Sequence, residues 1–446
     1  MMQPARDLFA KVALALALAI MPTHATGQAQ PFPNPGWQAS YDQLRHQIAN
    51  IPAFDNHGHP GLPDDSDVDA MQIPADSSLP FRLRPDNPEF VTAAQALYNY
   101  PYSDMSPEHA AVLVKEKHRL RDSLGAGYFS YILSQVGIET AVANRVAMPS
   151  YLEPSRFLWV FFVDPFLFPL NNDGFASKNP DLKLNLPLEE KLRQRYLSEI
   201  GLNRVPDGLA DYLAIISQIL QMKQKAGAVG TKFEIAYFRP LRFSDPTRET
   251  AERIYAKYVH GRSVPDSDYY ELQGFLFRYL LEESGKLHLP VQIHTAVGGG
   301  DYFNLTGGNV MNLENILRDP RFDNVTFVLL HGGFPHEREA IWLAARKNVY
   351  LDSSLMELFL YPAEFQHSLR LWLETFPEKI LFGSDTFPIS DLTGAEEFYW
   401  LAAESTRRAL AGALSEMIAE NEITAPQALA LARGYLHDNA VHLYKR

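Results

Sequence analysis

The 446-residue chain contains no cysteine. Disulfides are therefore excluded, and so are thiolate ligands, so any metal must be held by nitrogen and oxygen. Positive charge is also in short supply. A formal net charge of −13 argues against a nucleic-acid partner, which needs a basic surface, and against electrostatic docking on anionic membranes. Long apolar runs are scarce: the stretch over residues 12–21 is too short to cross a bilayer comfortably, and no later segment approaches the ~20 apolar residues of a spanning helix. No glycine-rich phosphate loop opens a helix after a strand. Gly298-Gly299-Gly300 follows a strand pattern, but Asp301 and Tyr302 come next and no helical spacing begins there. No repeat of constant period is visible.

What is present is the composition of a globular protein, 46% hydrophobic and 21% charged. Residues 1–29 read as an export signal: Arg6 and Lys11 flank the apolar run, and Thr23, Ala25, Gly27 and Ala29 offer small-residue cleavage sites at about 25–29. The expected location is periplasmic or secreted, with an uncleaved anchor as the other reading. Residues 30–45, with Pro31, Pro33, Pro35 and Gly36, read as a polar linker. Residues 46–446 are expected to form one domain.

Within that domain eight short apolar runs recur, at 54–59, 139–143, 157–163, 231–236, 289–294, 325–331, 348–352 and 379–385. Such runs suit a parallel sheet buried on both faces. Helical spacing separates several of them, at 211–225, 247–260, 269–281 and 337–347. About eight strand–helix units predict an α/β fold closed into a distorted (β/α)8 TIM barrel, with residues 60–130 as a long insertion after the first strand.

The chemistry gathers at strand ends. His57-Gly58-His59 places two imidazoles on one face of the first strand, because strand side chains alternate. One divalent ion could accept both, although a purely structural pair has the same spacing. His294, His331 and Asp385 each close an apolar strand, while Lys232 and Glu234 interrupt another. A parallel barrel brings all strand exits to one rim. A carboxylate directly after the apolar Ile380-Leu381-Phe382 needs a partner, and a cation supplies one.

These residues resemble the metal-dependent amidohydrolase superfamily, specifically its amidohydrolase-related branch. The likeness rests on Asp55-Asn56-His57-Gly58-His59-Pro60, Gln292-Ile293-His294, Leu330-His331-Gly332-Gly333, Phe382-Gly383-Ser384-Asp385-Thr386 and the closing Asp438-Asn439-Ala440-Val441-His442-Leu443-Tyr444. The resemblance implies a divalent metal, commonly zinc, among His57, His59, His294 and Asp385, with His331 facing the substrate or a second ion. It also implies one or two ions, according to whether Lys232 is carboxylated and bridges them. Lys232 has a plainer reading as the partner of Glu234 or of a substrate carboxylate.

The expected activity is a hydrolase in which a metal-bound hydroxide cleaves an amide, lactone or related carbonyl bond of a small molecule. Asp385 would carry the proton and His331 would stabilise the oxyanion. Arg239 and Tyr237, just beyond the fourth strand, are candidates for gripping the substrate. Two alternatives stand beside this reading: a zinc-dependent non-oxidative decarboxylase, and a non-catalytic metal- or solute-binding barrel. The expected partner is a small-molecule substrate. No nucleic acid and no stable membrane insertion are expected, and a homo-oligomer is compatible with the sequence.

Overall fold

Eight short segments, most of them rich in Val, Ile, Leu and Phe, form parallel strands: β1 (Ala53–Gly58), β2 (Ile138–Asn144), β3 (Phe157–Phe162), β4 (Ala228–Phe233), β5 (Val291–Ile293), β6 (Phe327–Leu329), β7 (Val349–Asp352) and β8 (Ile380–Leu381). In the computed structural model, which describes residues 35–444, each strand pairs with the next in chain order. The ends meet as well: Asn56 N donates to Phe382 O at 2.8 Å and Ser384 N donates to His57 O at 3.0 Å, joining β8 to β1. The result is the expected (β/α)8 barrel. Its interior is packed, not open. Phe54, Val142, Val160, Val328, Leu330 and Leu381 fill it, all buried, and each such side chain contributes roughly 1.5–3 kcal/mol on leaving water.

Helices line the outside. α1 (Pro35–Ala49) precedes β1. The insertion after β1 carries α2 (Pro88–Tyr98), α3 (Pro107–Leu124) and α4 (Tyr128–Gln135). α5 (Pro180–Glu199) and α6 (Leu209–Lys225) lie between β3 and β4, and α7 (Arg248–Tyr258) and α8 (Asp266–Lys286) between β4 and β5. α9 (Pro362–Thr375) leads into β8, and α10 (Ala395–Ala419) follows it. The short connection from β2 to β3 carries no helix, one of the departures from a regular barrel.

α1 corrects the expected linker over 30–45: it occupies most of that stretch and buries Leu44 and Ile48 in the core. Pro35 opens the helix, where its missing N–H costs nothing, so proline content alone was a poor sign of a spacer. The export signal expected over 1–29 lies outside the described residues. Among the described residues, no helix is long and apolar enough to cross a membrane.

The terminal helix α11 (Asn439–Tyr444) plugs the barrel floor, with Ala440 and Leu443 packed into the interior cluster. Tyr444 OH donates to Asn56 Oδ1 at 2.7 Å and accepts from Gln292 Nε2 at 2.8 Å. Asn56 Nδ2 in turn donates to Asp352 Oδ2 at 2.7 Å. This polar layer separates the apolar floor from the strand exits above it.

Candidate metal centre

β1 delivers two imidazoles to the rim. The β1–β2 register shifts between Asp55 and Gly58, yet His57 and His59 still face the same point. His57 Nε2 lies 3.1 Å from Asp385 Oδ1, and His59 Nε2 lies 3.7 Å from the same oxygen. Asp385 reaches them from the exit of β8 with a φ of 45°, a left-handed conformation that costs of order 1 kcal/mol or more for a side chain like this. Hydrogen bonds hold it there. Asp385 N donates to His57 O at 2.8 Å, and the preceding Ser384 is fixed by Asp55, whose carboxylate accepts from Ser384 N at 2.8 Å and from Ser384 Oγ at 2.6 Å. Burial pushes Asp55 up to about 8 even so.

His331, immediately after β6, also has a positive φ, 61°. Its Nε2 lies 2.9 Å from His294 Nδ1, and its Nδ1 lies 4.0 Å from Asp385 Oδ2. The partners determine which nitrogens carry protons. His294 Nε2 faces the carbonyl of Val297 at 2.9 Å and must donate to it. His331 Nδ1 in turn faces the Ser354 carbonyl at 3.1 Å and Ser354 Oγ at 3.0 Å, so its proton is held there. The two nitrogens that meet at 2.9 Å therefore both present lone pairs, and that contact needs a proton or a cation between them. His57, His331 and Asp385 bring ligand atoms within 4.8 Å of one another.

The electrostatics suit cation binding. Burial holds His57, His59 and His294 well below the ordinary imidazole value, and pushes His331 down to about 4. All four are neutral at pH 7, the state in which imidazole is a ligand. A neutral imidazole edge facing a carboxylate oxygen at 3.1 Å needs a proton or a cation between them, and Asp385 Oδ1 faces two such edges. Nitrogen and oxygen donors in this arrangement fit a divalent ion.

Lys232, at the exit of β4, extends into the same space. Its Nζ lies 3.5 Å from His57 Nε2 and 3.5 Å from Glu234 Oε1. Tyr237 is close by, its ring centroid 4.5 Å from that of His294. Burial and the carboxylates of Asp385 and Glu234 keep its hydroxyl protonated far into the alkaline range. Arg239 is a correction to the sequence expectation. Its guanidinium turns away from the rim, sandwiched between the Phe243 and Tyr270 rings at 4.4 and 4.5 Å and bonded to Gln273 Oε1 at 3.0 Å. A cation satisfied in this way cannot also grip a substrate at the rim.

Gly298 explains the glycine run after β5. A Cβ there would come 2.6 Å from the Phe303 ring and 2.9 Å from Tyr237, so the loop closes beside the site only without a side chain.

Sequence reasoning missed Asp69. It lies in the insertion after β1, and its Oδ2 sits 3.1 Å from His59 Nδ1. His59, Asp69 and Glu234 form a second group whose ligand atoms fall within 4.8 Å of one another. Nothing in the sequence around Asp69 points to this, because only the folded loop carries it to the rim.

The amidohydrolase family profile matches residues 222–446, just over half of the chain. A stretch of 162 residues is 35% identical to Protein fluG of Emericella nidulans, covering 35% of this chain and 17% of that protein. Among solved structures, a protein provisionally assigned as a metal-dependent hydrolase, from Lactobacillus casei, superposes with a TM-score of 0.61 at 17% identity over 90% of this chain and 97% of that one. Uronate isomerase of Thermotoga maritima gives 0.58 at 12% identity, over 91% and 97% of the two chains. Glucuronate isomerase of Caulobacter crescentus gives 0.57 at 14%, over 93% and 95%. At these identities the structural likeness establishes the shared barrel.

Proposed function

Because this chain belongs to the amidohydrolase family, we propose that its rim site is a metal-dependent hydrolase centre acting on an amide, lactone or related carbonyl bond of a small molecule. The observation that supports this reading most is the position of Asp385, buried at the β8 exit with Oδ1 shared between His57 and His59 and Oδ2 turned towards His331. His57, His331 and Asp385 would hold a divalent ion, zinc in this reading, with His59 Nε2 at its edge and His294 supporting His331. When bound, such an ion supplies Lewis acidity, lowering the pKa of a water from ~15.7 towards ~7 and polarising a carbonyl.

The side chains do the rest. Asp385 Oδ2, the oxygen not crowded by His57 and His59, takes the proton of the attacking water and returns it to the leaving nitrogen or oxygen. His331 is held neutral by burial and oriented by the Ser354 carbonyl, 3.1 Å from its Nδ1. The Tyr237 hydroxyl, kept protonated, donates to the substrate oxygen as negative charge develops there. Tyr237 and Phe303, with ring centroids 5.0 Å apart, wall this side of the site.

The test is Asp385→Asn, which preserves shape and removes the proton carrier. Turnover of a panel of amides and lactones should fall by at least ~10²-fold, with the melting temperature little changed; undiminished turnover refutes the role. Running the wild-type reaction in ¹⁸O-water separates hydrolysis, which places the label in the product acid, from isomerisation or decarboxylation, which create no such oxygen.

A further inference from the structure

We propose a second divalent-cation site on the opposite edge of His59, formed by His59 Nδ1, Asp69 Oδ2 and the Glu234 carboxylate. This site is separate from the centre at Asp385, and it does not rest on the hydrolytic reading of that centre.

The geometry comes from three separate segments. His59 follows β1, Asp69 comes from the insertion after it, and Glu234 lies at the exit of β4. His59 Nδ1 and Asp69 Oδ2 are 3.1 Å apart, and all three ligand atoms lie within 4.8 Å of one another. Two of the donors are unemployed: Glu234 Oε2 and His59 Nδ1 are buried and have no hydrogen-bond partner. Glu234 is 2% exposed and His59 5%. A buried carboxylate oxygen left without a donor costs on the order of 1–3 kcal/mol or more, so Lys232, on the other oxygen of Glu234, leaves a place for a further positive group.

Charge counting points the same way. Asp164 and Glu189 stand behind the group, both fully buried. Asp164 Oδ2 accepts from Glu234 N at 2.8 Å, and neither carboxylate oxygen of Glu189 has a hydrogen-bond partner. Against Asp69, Asp164, Glu189 and Glu234 stand two cations: Lys232, 3.5 Å from Glu234 Oε1, and Arg193, whose charge acts on Glu189. A divalent ion would balance the excess that these two leave. Two carboxylates and one imidazole suit zinc or manganese and leave positions open for water or substrate oxygen. The arrangement also differs from a pair of ions bridged by carboxylated Lys232, because Lys232 would be a competitor of this ion and not its ligand.

Equilibrium dialysis of the full chain against Zn²⁺ and, separately, Mn²⁺, with metal per chain read by mass spectrometry, tests the proposal. Wild type should take up two ions. Asp69→Asn and Glu234→Gln should each keep one ion and weaken the other at least 100-fold, His57→Ala should lose the other ion, and Lys232→Met should retain both. A single wild-type ion that His57→Ala removes and Asp69→Asn leaves untouched overturns the second site while the hydrolase centre stands. Loss of an ion in Lys232→Met with Asp69→Asn unaffected also overturns it. No bound ion in wild type sinks both readings. Should Glu234→Gln fail to fold, Asp69→Asn, on a partly exposed loop, decides the matter together with the wild-type stoichiometry.

Discussion

His331 Nε2 lies 2.9 Å from His294 Nδ1, which sets the two imidazoles in series and not side by side around the rim. His294 is anchored by the Val297 carbonyl and His331 by the Ser354 carbonyl and hydroxyl, so the nitrogens that face each other have a proton or a cation to share. The two histidines should therefore be compared as a pair. His331→Ala should lower metal per chain, and His294→Ala, which leaves His331 its Ser354 anchor, should lower it less and reduce turnover about 10–100-fold, as loss of a supporting partner does. Equal loss of metal in both variants would make His294 a direct ligand.

The neutral state of His331 also has a pH signature. Its folded pKa, about 4, is below the ordinary 6.5. Its contribution to stability is complete above pH 6.5, and it falls away as pH drops through 4, because the unfolded chain takes up a proton that the folded chain refuses. The difference corresponds to roughly 3 kcal/mol. Other buried groups titrate in the same range, so the measurement is a comparison. Between pH 7 and pH 4, metal-free wild type should lose stability relative to His331→Gln by about that amount in urea titrations. A constant gap between the two proteins would show that His331 is not held neutral by the fold.

Much of this arrangement was legible in the sequence, for physical reasons that vary by residue. The strands of the barrel were found because most of their positions are apolar and buried on both faces, and the polar residues that break the pattern in β1 and β4 include His57 and Lys232 of the site itself. The period-two spacing of His57 and His59 carried through a strand irregularity to a shared carboxylate oxygen. Asp69 was invisible because loop conformation, not local pattern, brings it to His59. Arg239 misled for the opposite reason: its position just beyond β4 was read correctly, but the aromatic rings of Phe243 and Tyr270 give its guanidinium a better place to lie. The helix over Pro35–Ala49 hid behind proline, which marks a helix start as readily as a spacer.

The barrel floor offers a test of how far the site depends on the residues beneath it. The Tyr444 hydroxyl joins Asn56 and Gln292, and Asn56 joins Asp352, whose Oδ1 accepts from Ser354 N at 2.9 Å and from His331 N at 3.4 Å. Tyr444→Phe keeps the ring stacked on Phe54 but strands a buried acceptor on Asn56 and a donor on Gln292. A loss of about 1–3 kcal/mol is expected in denaturant unfolding. Metal content should be unchanged, since no ligand moves directly.

Gly332 should be the least replaceable residue next to the site. Its φ is +55°, and a Cβ at this position would run into the Trp372 indole and approach Met356 Sδ at 3.2 Å. Trp372 cannot give way easily, because it is fully buried and its Nε1 donates to Glu337 O at 3.1 Å. Gly332→Ala therefore combines backbone strain with overpacking, each costing on the order of 1–3 kcal/mol. The neighbouring His331 shares the turn with its own positive φ, so relief of the clash would displace its ring from Asp385. Thermal unfolding should show a large loss of stability, and folded protein recovered at low temperature should bind less metal than wild type. Near-wild-type stability in Gly332→Ala would mean that the turn carrying His331 is far softer than its packing indicates.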